Sequence, residues 1–283
     1  MREIAAVGVV GAGTMGSGIA HVLARAGLRV LLSDTEARFL DRALGQIRTN
    51  LGREAAKGKI ETGEVESVLA RIAPVLEMEA LAATELVIEA APERLELKAQ
   101  IFRALDDILP ASAILATNTS SISITRLAAL TRRPAQVIGM HFFNPVPMMA
   151  LIEIVRGMAT SDRTAAAITA LSIRIGKTPV EVSDAPGFVS NRVLMPLINE
   201  AAFAVMEGVA TPEAVDQIFR LGMAHPMGPL TLADFIGLDV CLDILRVLQE
   251  GYGDPKYRPC PLLIKMVDAG WLGKKSGRGF YKY

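Results

Sequence analysis

Apolar runs near the N-terminus alternate with segments of helical periodicity. The run Ile4 to Val10 is continuous, apolar and bounded by glycine, which is typical of a strand buried on both faces of a parallel sheet. From Thr14 to Ala26 apolar residues recur at helical spacing, and Gly27 follows as a stop signal. A second apolar run, Leu28 to Ser33, precedes a long charged helix predicted from about Glu36 to Ala56. The pattern predicts a β-α-β unit.

The alternation continues beyond this unit. Further apolar runs, mostly separated by helix-like or turn segments, occupy Leu86 to Ala90, Ala113 to Ala116, Gln136 to Met140, Leu151 to Val155 and Thr178 to Val182. Such alternation predicts an α/β fold with a doubly wound, mostly parallel sheet. The charged segment from Arg53 to Glu64 predicts an exposed helical hairpin near residues 36–70 that projects from the sheet.

The second part of the chain has a different pattern. Asp184-Ala185-Pro186-Gly187 interrupts the alternation, and everything beyond it has the pattern of helices separated by Gly and Pro. We place the boundary there, with one domain at 1–184 and a smaller all-α domain at 185–283. Residues Val193 to Val205 are nearly all apolar, which predicts a helix in a core or an interface. The segment Met223 to Pro229 is expected to be a connecting loop.

Composition narrows the class of protein. The 283 residues are enough for two domains, 51% are hydrophobic, and 30 Lys+Arg balance 30 Asp+Glu. This balance gives no bulk attraction to nucleic acid or to an anionic membrane, so a small molecule is the expected partner. Cys241 and Cys260 have no metal-ligand spacing and are too few for a disulfide framework. The apolar runs are too short for a secretory signal or a membrane span, so we expect a cytoplasmic protein. We also expect that it binds no metal.

The loop Gly11-Ala12-Gly13-Thr14-Met15-Gly16 joins the first strand to the first helix. The first glycine permits the turn, the second lets a pyrophosphate approach the backbone, and the third lets helix and strand pack closely. Asp34 closes the second strand at the expected distance of about 20 residues. Its carboxylate would accept from the ribose 2′-OH, which favours NAD over NADP, or would cap the next helix; the two roles are compatible. The loop predicts a Rossmann-type dinucleotide site.

Polar residues follow two later strands. Thr117-Asn118-Thr119-Ser120-Ser121 comes after one strand, at the edge where ligands of such sheets bind. His141 follows the predicted strand Gln136 to Met140, and Glu153 lies in the next apolar run. A dehydrogenase needs a group that accepts the hydroxyl proton as hydride leaves, and an imidazole with an ordinary pKa near about 6.5 suits that task. Glu153 either orients His141 or belongs to an ion-pair network.

The other two histidines have simpler explanations. His21 falls inside the first helix, where a packing role is expected, and His225 stands beside Pro226 in a predicted turn. His141 is therefore the candidate general base.

Several longer motifs carry a resemblance to a known family. They are Val10 to Ala20, Thr117 to Ser121, His141 to Pro147, Asp184 to Arg192, and the closing Gly277-Arg-Gly-Phe-Tyr-Lys. With them the whole chain resembles the L-3-hydroxyacyl-CoA dehydrogenase family, and within it the bacterial 3-hydroxybutyryl-CoA members. The resemblance implies an NAD-dependent oxidoreductase of fatty-acid or butanoate metabolism, which transfers a hydride between NAD(H) and C3 of a short-chain 3-hydroxyacyl-CoA. Flux direction and acyl length stay open.

The resemblance also implies residue roles and an assembly. His141 would be the general base, Glu153 would orient it, and Ser120 and Asn191 would bind the substrate 3-oxygen or fix its pose. The implied cofactor contacts outside the glycine loop are Asp34, Glu93, Lys98, Asn118, Asn144 and Lys275. Arg53 and Lys57 would meet the CoA phosphates; taken alone, such charges more often belong to a solvated helix face. The helical domain would form a homodimer.

Two other functions would require different sets of residues. A non-catalytic NAD-binding protein would keep the glycine loop and lose Ser120, His141, Glu153 or Asn191, all of which are present. A dehydrogenase of a free hydroxy acid would have no need of Arg53 and Lys57.

Overall fold

The computed structural model describes residues 4–283. Its contacts divide the chain into two compact units, the first ending at Asp184 and the second beginning at Ala185. The first unit is built on an eight-stranded sheet with helices, and the second is helical. Within residues 4–283, no helix is both long enough and apolar enough to cross a bilayer.

The sheet is mostly parallel. Its strands are β1 (Ala6–Val10), β2 (Arg29–Ser33), β3 (Ile72–Val75), β4 (Leu86–Glu89), β5 (Ile114–Thr117), β6 (Val137–Phe142), β7 (Leu151–Arg156) and β8 (Thr178–Ser183). They lie in the order β3-β2-β1-β4-β5-β6-β7-β8, and the β6–β7 pair is antiparallel. The Rossmann-type fold predicted from the alternation of apolar runs is confirmed. Because β1, β4 and β5 pair in parallel, their carboxyl ends lie at the same edge of the sheet, where ligands of such folds bind.

Helices of the first unit are α1 (Thr14–Arg25), α2 (Ala37–Ala56), α3 (Glu64–Leu69), α4 (Leu95–Ile108), α5 (Ile124–Ala128) and α6 (Asp162–Arg174). Short 3₁₀ turns span Met78–Ala83 and Pro134–Gln136. The predicted hairpin near residues 36–70 is formed by α2 and α3. It does not project freely, because Leu40, Ile47 and Leu51 of α2 are buried in the core of this unit.

Strand β3 was not predicted from the sequence. It is only four residues long and contains Pro74, which cannot donate a ladder hydrogen bond. Within residues 4–283 the strand pairs with β2 alone and so lies at the edge of the sheet, where a proline is tolerated. A short edge strand therefore escaped a search for continuous apolar runs.

The second unit contains five α-helices within the described residues. They are α7 (Ser190–Met206), α8 (Pro212–Gly222), α9 (Pro229–Ile236), α10 (Leu238–Tyr252) and α11 (Pro261–Asp268), with 3₁₀ turns at Pro255–Tyr257 and Lys274–Ser276. As predicted, residues 193–205 lie in a helix, and a loop joins α8 to α9. Met195 and Ile198 of α7 pack with Leu242 and Leu245 of α10 in the core of this unit.

A buried aspartate ties α4 to the loop before β6. The Asp106 carboxylate accepts from Arg133 Nε at 2.7 Å and from the Arg132 backbone N and Nε, both at 2.9 Å. Burial raises the pKa of Asp106, but the hydrogen bonds from Arg132 and Arg133 outweigh it and hold the pKa below its ordinary value. The folded pKa is thus lower than the unfolded one, so the stabilisation is present above the unfolded value and is lost as pH falls through the folded value.

We expect Asp106→Asn to destabilise the first unit by about 1–3 kcal/mol at neutral pH, because the arginine donors lose a charged acceptor. The difference from the wild type should shrink below the ordinary aspartate pKa of about 3.9. Urea unfolding of the wild type and of Asp106→Asn, at neutral pH and below the ordinary aspartate pKa, measures this difference in the free energy of unfolding. A difference that does not change with pH would show that the carboxylate charge contributes nothing.

Candidate active site

The glycines between β1 and α1 have different environments. Gly11 has φ +101°, and a Cβ there would lie 2.7 Å from the Ala90 carbonyl oxygen. A Cβ on Gly16 would lie 1.7 Å from the Gly11 carbonyl oxygen, so α1 could not approach the loop with any larger residue. Gly13 differs, because a Cβ built on it meets no heavy atom of the described residues within 4 Å. Protein packing therefore explains Gly11 and Gly16 but leaves the space beside Gly13 for a ligand.

The space beside Gly13 fits a pyrophosphate. Gly13 is the N-cap of α1, and the amides of Thr14, Met15 and Gly16 belong to the first turn, where no intrahelical acceptor exists. These N–H groups and the positive end of the helix dipole attract an anion. The contacts of Gly11 and Gly16 agree with the steric roles expected of them, and the open space beside Gly13 suits a dinucleotide.

Asp34 follows β2 and holds the glycine loop. Its Oδ2 accepts from Ala12 N at 2.7 Å, and its Oδ1 accepts from Thr35 N at 2.7 Å. Glu36, not Asp34, occupies the N-cap position of α2, so the capping alternative is wrong. Oδ1 also accepts from Thr35 Oγ1 at 3.2 Å, whereas Oδ2 has a second lone pair with which Asp34 can accept from a ribose hydroxyl.

A buried ion pair lies behind the carboxyl ends of β4 and β5. Glu89, the last residue of β4, is fully buried and accepts from Lys98 Nζ at 2.7 Å and from Thr117 Oγ1 at 2.6 Å. Lys98 is also buried and donates to the Ala91 carbonyl at 2.9 Å. Sequence reasoning missed Glu89; the signal was a carboxylate inside an apolar strand run.

Glu93 accepts several hydrogen bonds from the segment that follows β5. Its Oε1 accepts from the backbone amides of Ser120 at 2.9 Å and Ser121 at 3.1 Å, and also from the Thr119 hydroxyl. Its Oε2 lies 3.4 Å from Lys98 Nζ. Burial raises the pKa of Glu93, but the charge of Lys98 and the hydrogen bonds outweigh it and lower the pKa. An ionised Glu93 thus fixes the backbone that carries Ser120.

Asn118 and Asn144 lie near the ends of β5 and β6. Asn118 Oδ1 accepts from the Phe142 amide at 2.9 Å, so the side chain joins the ends of the two strands. Since its oxygen is used in this bond, its NH₂ group is the part suited to a ligand. Asn144 follows β6 and is exposed.

His141 and Glu153 face each other across the antiparallel β6–β7 pair. They are register partners, and His141 Nδ1 lies 2.7 Å from Glu153 Oε2. Both side chains are buried, with 9% and 4% of their surface exposed. His141 was predicted to follow its strand, which is wrong; β6 extends to Phe142 and includes it. A carboxylate on Nδ1 fixes that nitrogen as the donor and turns Nε2 into the proton acceptor.

The other two histidines lie elsewhere. His21 is fully buried in α1, as expected, with Nε2 3.5 Å from Glu54 Oε1. His225 follows α8 and packs edge-on against the Phe219 ring at 5.3 Å between centroids. His21 thus also has a carboxylate neighbour, but that contact is longer than the 2.7 Å between His141 and Glu153, and the His21 ring is fully buried within the helix packing.

Two predicted site residues belong to the helical unit. Asn191 is half-buried in the first turn of α7, and Lys275 Nζ donates to Asp239 Oδ2 at 2.7 Å. The segment before α7 has an unusual backbone. Gly187 has φ +73° and Phe188 has φ +50° with its side chain buried, so the chain passes through left-handed backbone immediately before the helix.

Arg53 and Lys57 lie at the C-terminal end of α2. Both are exposed and one helical turn apart, with Lys57 as the C-cap residue. Glu54, between them, is directed instead to Arg25, whose Nη1 lies 3.0 Å away. The Arg53 and Lys57 side chains face solvent one helical turn apart, so one anion can bind both charges.

Comparison with known proteins gives concordant results over the whole chain. The family model of the 3-hydroxyacyl-CoA dehydrogenase NAD binding domain matches residues 6–185, and that of the C-terminal domain matches residues 187–283. A Bacillus subtilis protein described as a probable 3-hydroxybutyryl-CoA dehydrogenase is 56% identical over 281 residues, which cover 99% of this chain and 98% of the relative. A Bradyrhizobium diazoefficiens 3-hydroxybutyryl-CoA dehydrogenase is 52% identical, covering 98% of this chain and 94% of the relative.

A solved structure agrees with these matches. The crystal structure of (S)-3-hydroxybutyryl-CoA dehydrogenase from Ralstonia eutropha has a TM-score of 0.97 and 49% identity, with 99% of each chain covered.

Proposed function

The chain belongs to the 3-hydroxyacyl-CoA dehydrogenase family and is an NAD-dependent dehydrogenase, and we propose that His141 and Glu153 carry its acid–base chemistry on a short-chain substrate. The preferred pair is (S)-3-hydroxybutyryl-CoA and acetoacetyl-CoA, in line with the names of the similar proteins. The observation that carries the proposal is the 2.7 Å contact between His141 Nδ1 and Glu153 Oε2 in a buried setting.

In the oxidation direction, His141 Nε2 takes the proton of the 3-hydroxyl. Bound NAD supplies the hydride acceptor for C3. The imidazolium that forms is stabilised by Glu153, which also keeps the ring in one orientation. In the reduction direction His141 returns the proton to the substrate oxygen. Ser120 and Asn191 hydrogen-bond that oxygen or fix its pose.

The cofactor is held by residues around the glycine loop. Gly11 to Gly16 bind the pyrophosphate, and Asp34 accepts a hydrogen bond from the ribose 2′-OH. The Asp34 carboxylate would repel a 2′-phosphate, which favours NAD over NADP. Asn118, Asn144 and Lys275 offer further polar contacts. Glu93 and Lys98 complete the set, although Lys98 is buried, which favours an action through Glu93.

Arg53 and Lys57 bind the phosphates of CoA in this proposal. Their exposure, and their spacing of one helical turn, support it. The helical unit would form a homodimer; exposed apolar side chains on its helices, such as Val193 of α7 and Leu221 of α8, support that inference.

The experiment is NADH consumption by the purified protein with acetoacetyl-CoA, longer 3-ketoacyl-CoA substrates and free acetoacetate, with NADPH compared. We expect turnover of acetoacetyl-CoA with NADH, and far lower rates with acetoacetate. Comparable rates with acetoacetate and acetoacetyl-CoA would favour a free-acid dehydrogenase. No turnover with any chain length would favour a non-catalytic NAD-binding protein.

The double variant R53A/K57A should raise the KM for acetoacetyl-CoA about tenfold with kcat unchanged, because the phosphate contacts are equal in the ground and transition states. The KM for NADH should not change. Arg42→Ala is the matched control, since Arg42 is an exposed cation on the same helix several turns away. An unchanged KM in R53A/K57A would place the CoA phosphates elsewhere.

A further inference from the structure

We propose that Glu89 is a positioning residue for the reaction, and that it sets the pose of Ser120 through two separate hydrogen-bonded routes. The inference rests on the proposed role of Ser120 at the substrate oxygen. Glu89 itself is fully buried, so it acts through other residues and not by direct contact with the substrate.

Glu89 lies at the junction of the two loops that build the site. It is the register partner of Val10 on β1 and of Thr117 on β5. Val10 leads directly into the glycine loop, and Thr117 leads directly into the segment of Ser120. A carboxylate at this point is costly to bury, and it persists only because donors surround it.

The first route passes through the Thr117 hydroxyl. Glu89 Oε2 accepts from Thr117 Oγ1 at 2.6 Å, and Thr117 Oγ1 in turn accepts from Thr119 N at 3.2 Å. An ionised carboxylate can only accept, so the hydroxyl proton must point at Glu89 and a lone pair must point at Thr119. The charge of Glu89 thus fixes the direction of the hydrogen bond that holds the residue before Ser120.

The second route passes through Lys98 and Glu93. Lys98 Nζ donates to Glu89 Oε1 at 2.7 Å and lies 3.4 Å from Glu93 Oε2. Glu93 Oε1 accepts from the Ser120 amide at 2.9 Å and from the Ser120 hydroxyl at 3.3 Å. The buried ammonium is therefore shared between two carboxylates, with the shorter contact to Glu89.

Neutralising Glu89 changes both routes together. Lys98 would be left with Glu93 as its one carboxylate partner in this cluster, and the stronger attraction would draw Glu93 towards Lys98. Since Glu93 holds the Ser120 backbone and hydroxyl, Ser120 would move with it. Glu89→Gln keeps the size of the side chain, removes the charge and turns one acceptor oxygen into a donating NH₂ group, so it weakens both routes and is the test variant.

We expect Glu89→Gln to lower kcat with acetoacetyl-CoA about 10- to 100-fold, the range for a misplaced reacting group, with a smaller change in KM. Thr117→Val removes the first route alone and should lower kcat about tenfold or less. Thr117→Ser retains the hydroxyl and should restore kcat towards the wild-type value, which a loss caused only by side-chain shape would not do. Asp106→Asn is the control for lost stability, because its ion pairs lie away from this cluster and kcat should not fall.

A double-mutant cycle separates this inference from the proposed function. If Glu89 acts through Ser120, E89Q should have little further effect on kcat in the S120A background. Additive losses, or an E89Q kcat equal to that of the wild type, would overturn the positioning role and leave the role of Ser120 intact. A wild-type kcat in S120A would instead refute the proposed role of Ser120, and with it any action of Glu89 through that residue. If E89Q fails to fold, the same double-mutant cycle is measured with Thr117→Val and Thr117→Ser, each alone and combined with S120A.

Discussion

Replacing His141 by glutamine is expected to lower kcat for acetoacetyl-CoA reduction about 1000-fold while the Kd for NADH stays unchanged. General acid–base catalysis contributes about 10²- to 10⁴-fold, and a glutamine amide acts neither as an acid nor as a base at neutral pH. The amide can still donate to Glu153, so the buried carboxylate keeps a partner and β6 and β7 stay paired. Steady-state rates together with a fluorescence titration of NADH separate the two quantities.

His225→Gln is the matched control for this variant. His225 packs against Phe219 in the helical unit, and the same substitution there should leave kcat near the wild-type value. Unchanged turnover in H141Q would refute the assignment of His141 as the general base.

Gly13→Ala is expected to weaken NADH binding about 30-fold without loss of thermal stability. The added methyl group meets no described atom within 4 Å, and φ of −69° at this position is open to alanine. It would instead enter the space proposed for the pyrophosphate, where overpacking of about 2 kcal/mol corresponds to about 30-fold in Kd. Titration of NADH and a thermal unfolding curve, measured on the same preparation, give both values.

Two other glycines provide contrasts for Gly13→Ala. Gly16→Ala should lower the melting temperature as well as NADH affinity, because its methyl group would collide with the Gly11 carbonyl. Gly45→Ala in α2 meets no described atom within 4 Å and should leave NADH affinity unchanged. An unchanged Kd in Gly13→Ala would show that the pyrophosphate does not lie against this residue.

The sheet was predictable because most of its strands are buried on both faces. Continuous apolar runs mark β1, β2 and β4 clearly, and the glycines after β1 show where the helix begins. Strand β3 was not predictable in this way, because an edge strand needs neither continuous apolar character nor a full ladder, as Pro74 shows.

The pairing of the site residues was beyond the sequence pattern. His141 and Glu153 were recognised as candidates, but their contact depends on the antiparallel register of β6 and β7, which no local signal specifies. Glu89 was not recognised as a site residue, because it lies within an apolar run and its partners Lys98 and Thr117 are 9 and 28 residues away along the chain. Long-range pairing, not local propensity, decides which polar residues act together.

The most direct test of the account follows the hydrogen that is transferred. NADH dideuterated at C4 is incubated with acetoacetyl-CoA and either the wild-type protein or H141Q, and the product is examined by mass spectrometry and NMR. We expect one deuterium at C3 of 3-hydroxybutyryl-CoA with the wild type, and about 1000-fold slower labelling with H141Q. Product without deuterium at C3, or labelling by H141Q at the wild-type rate, would contradict it.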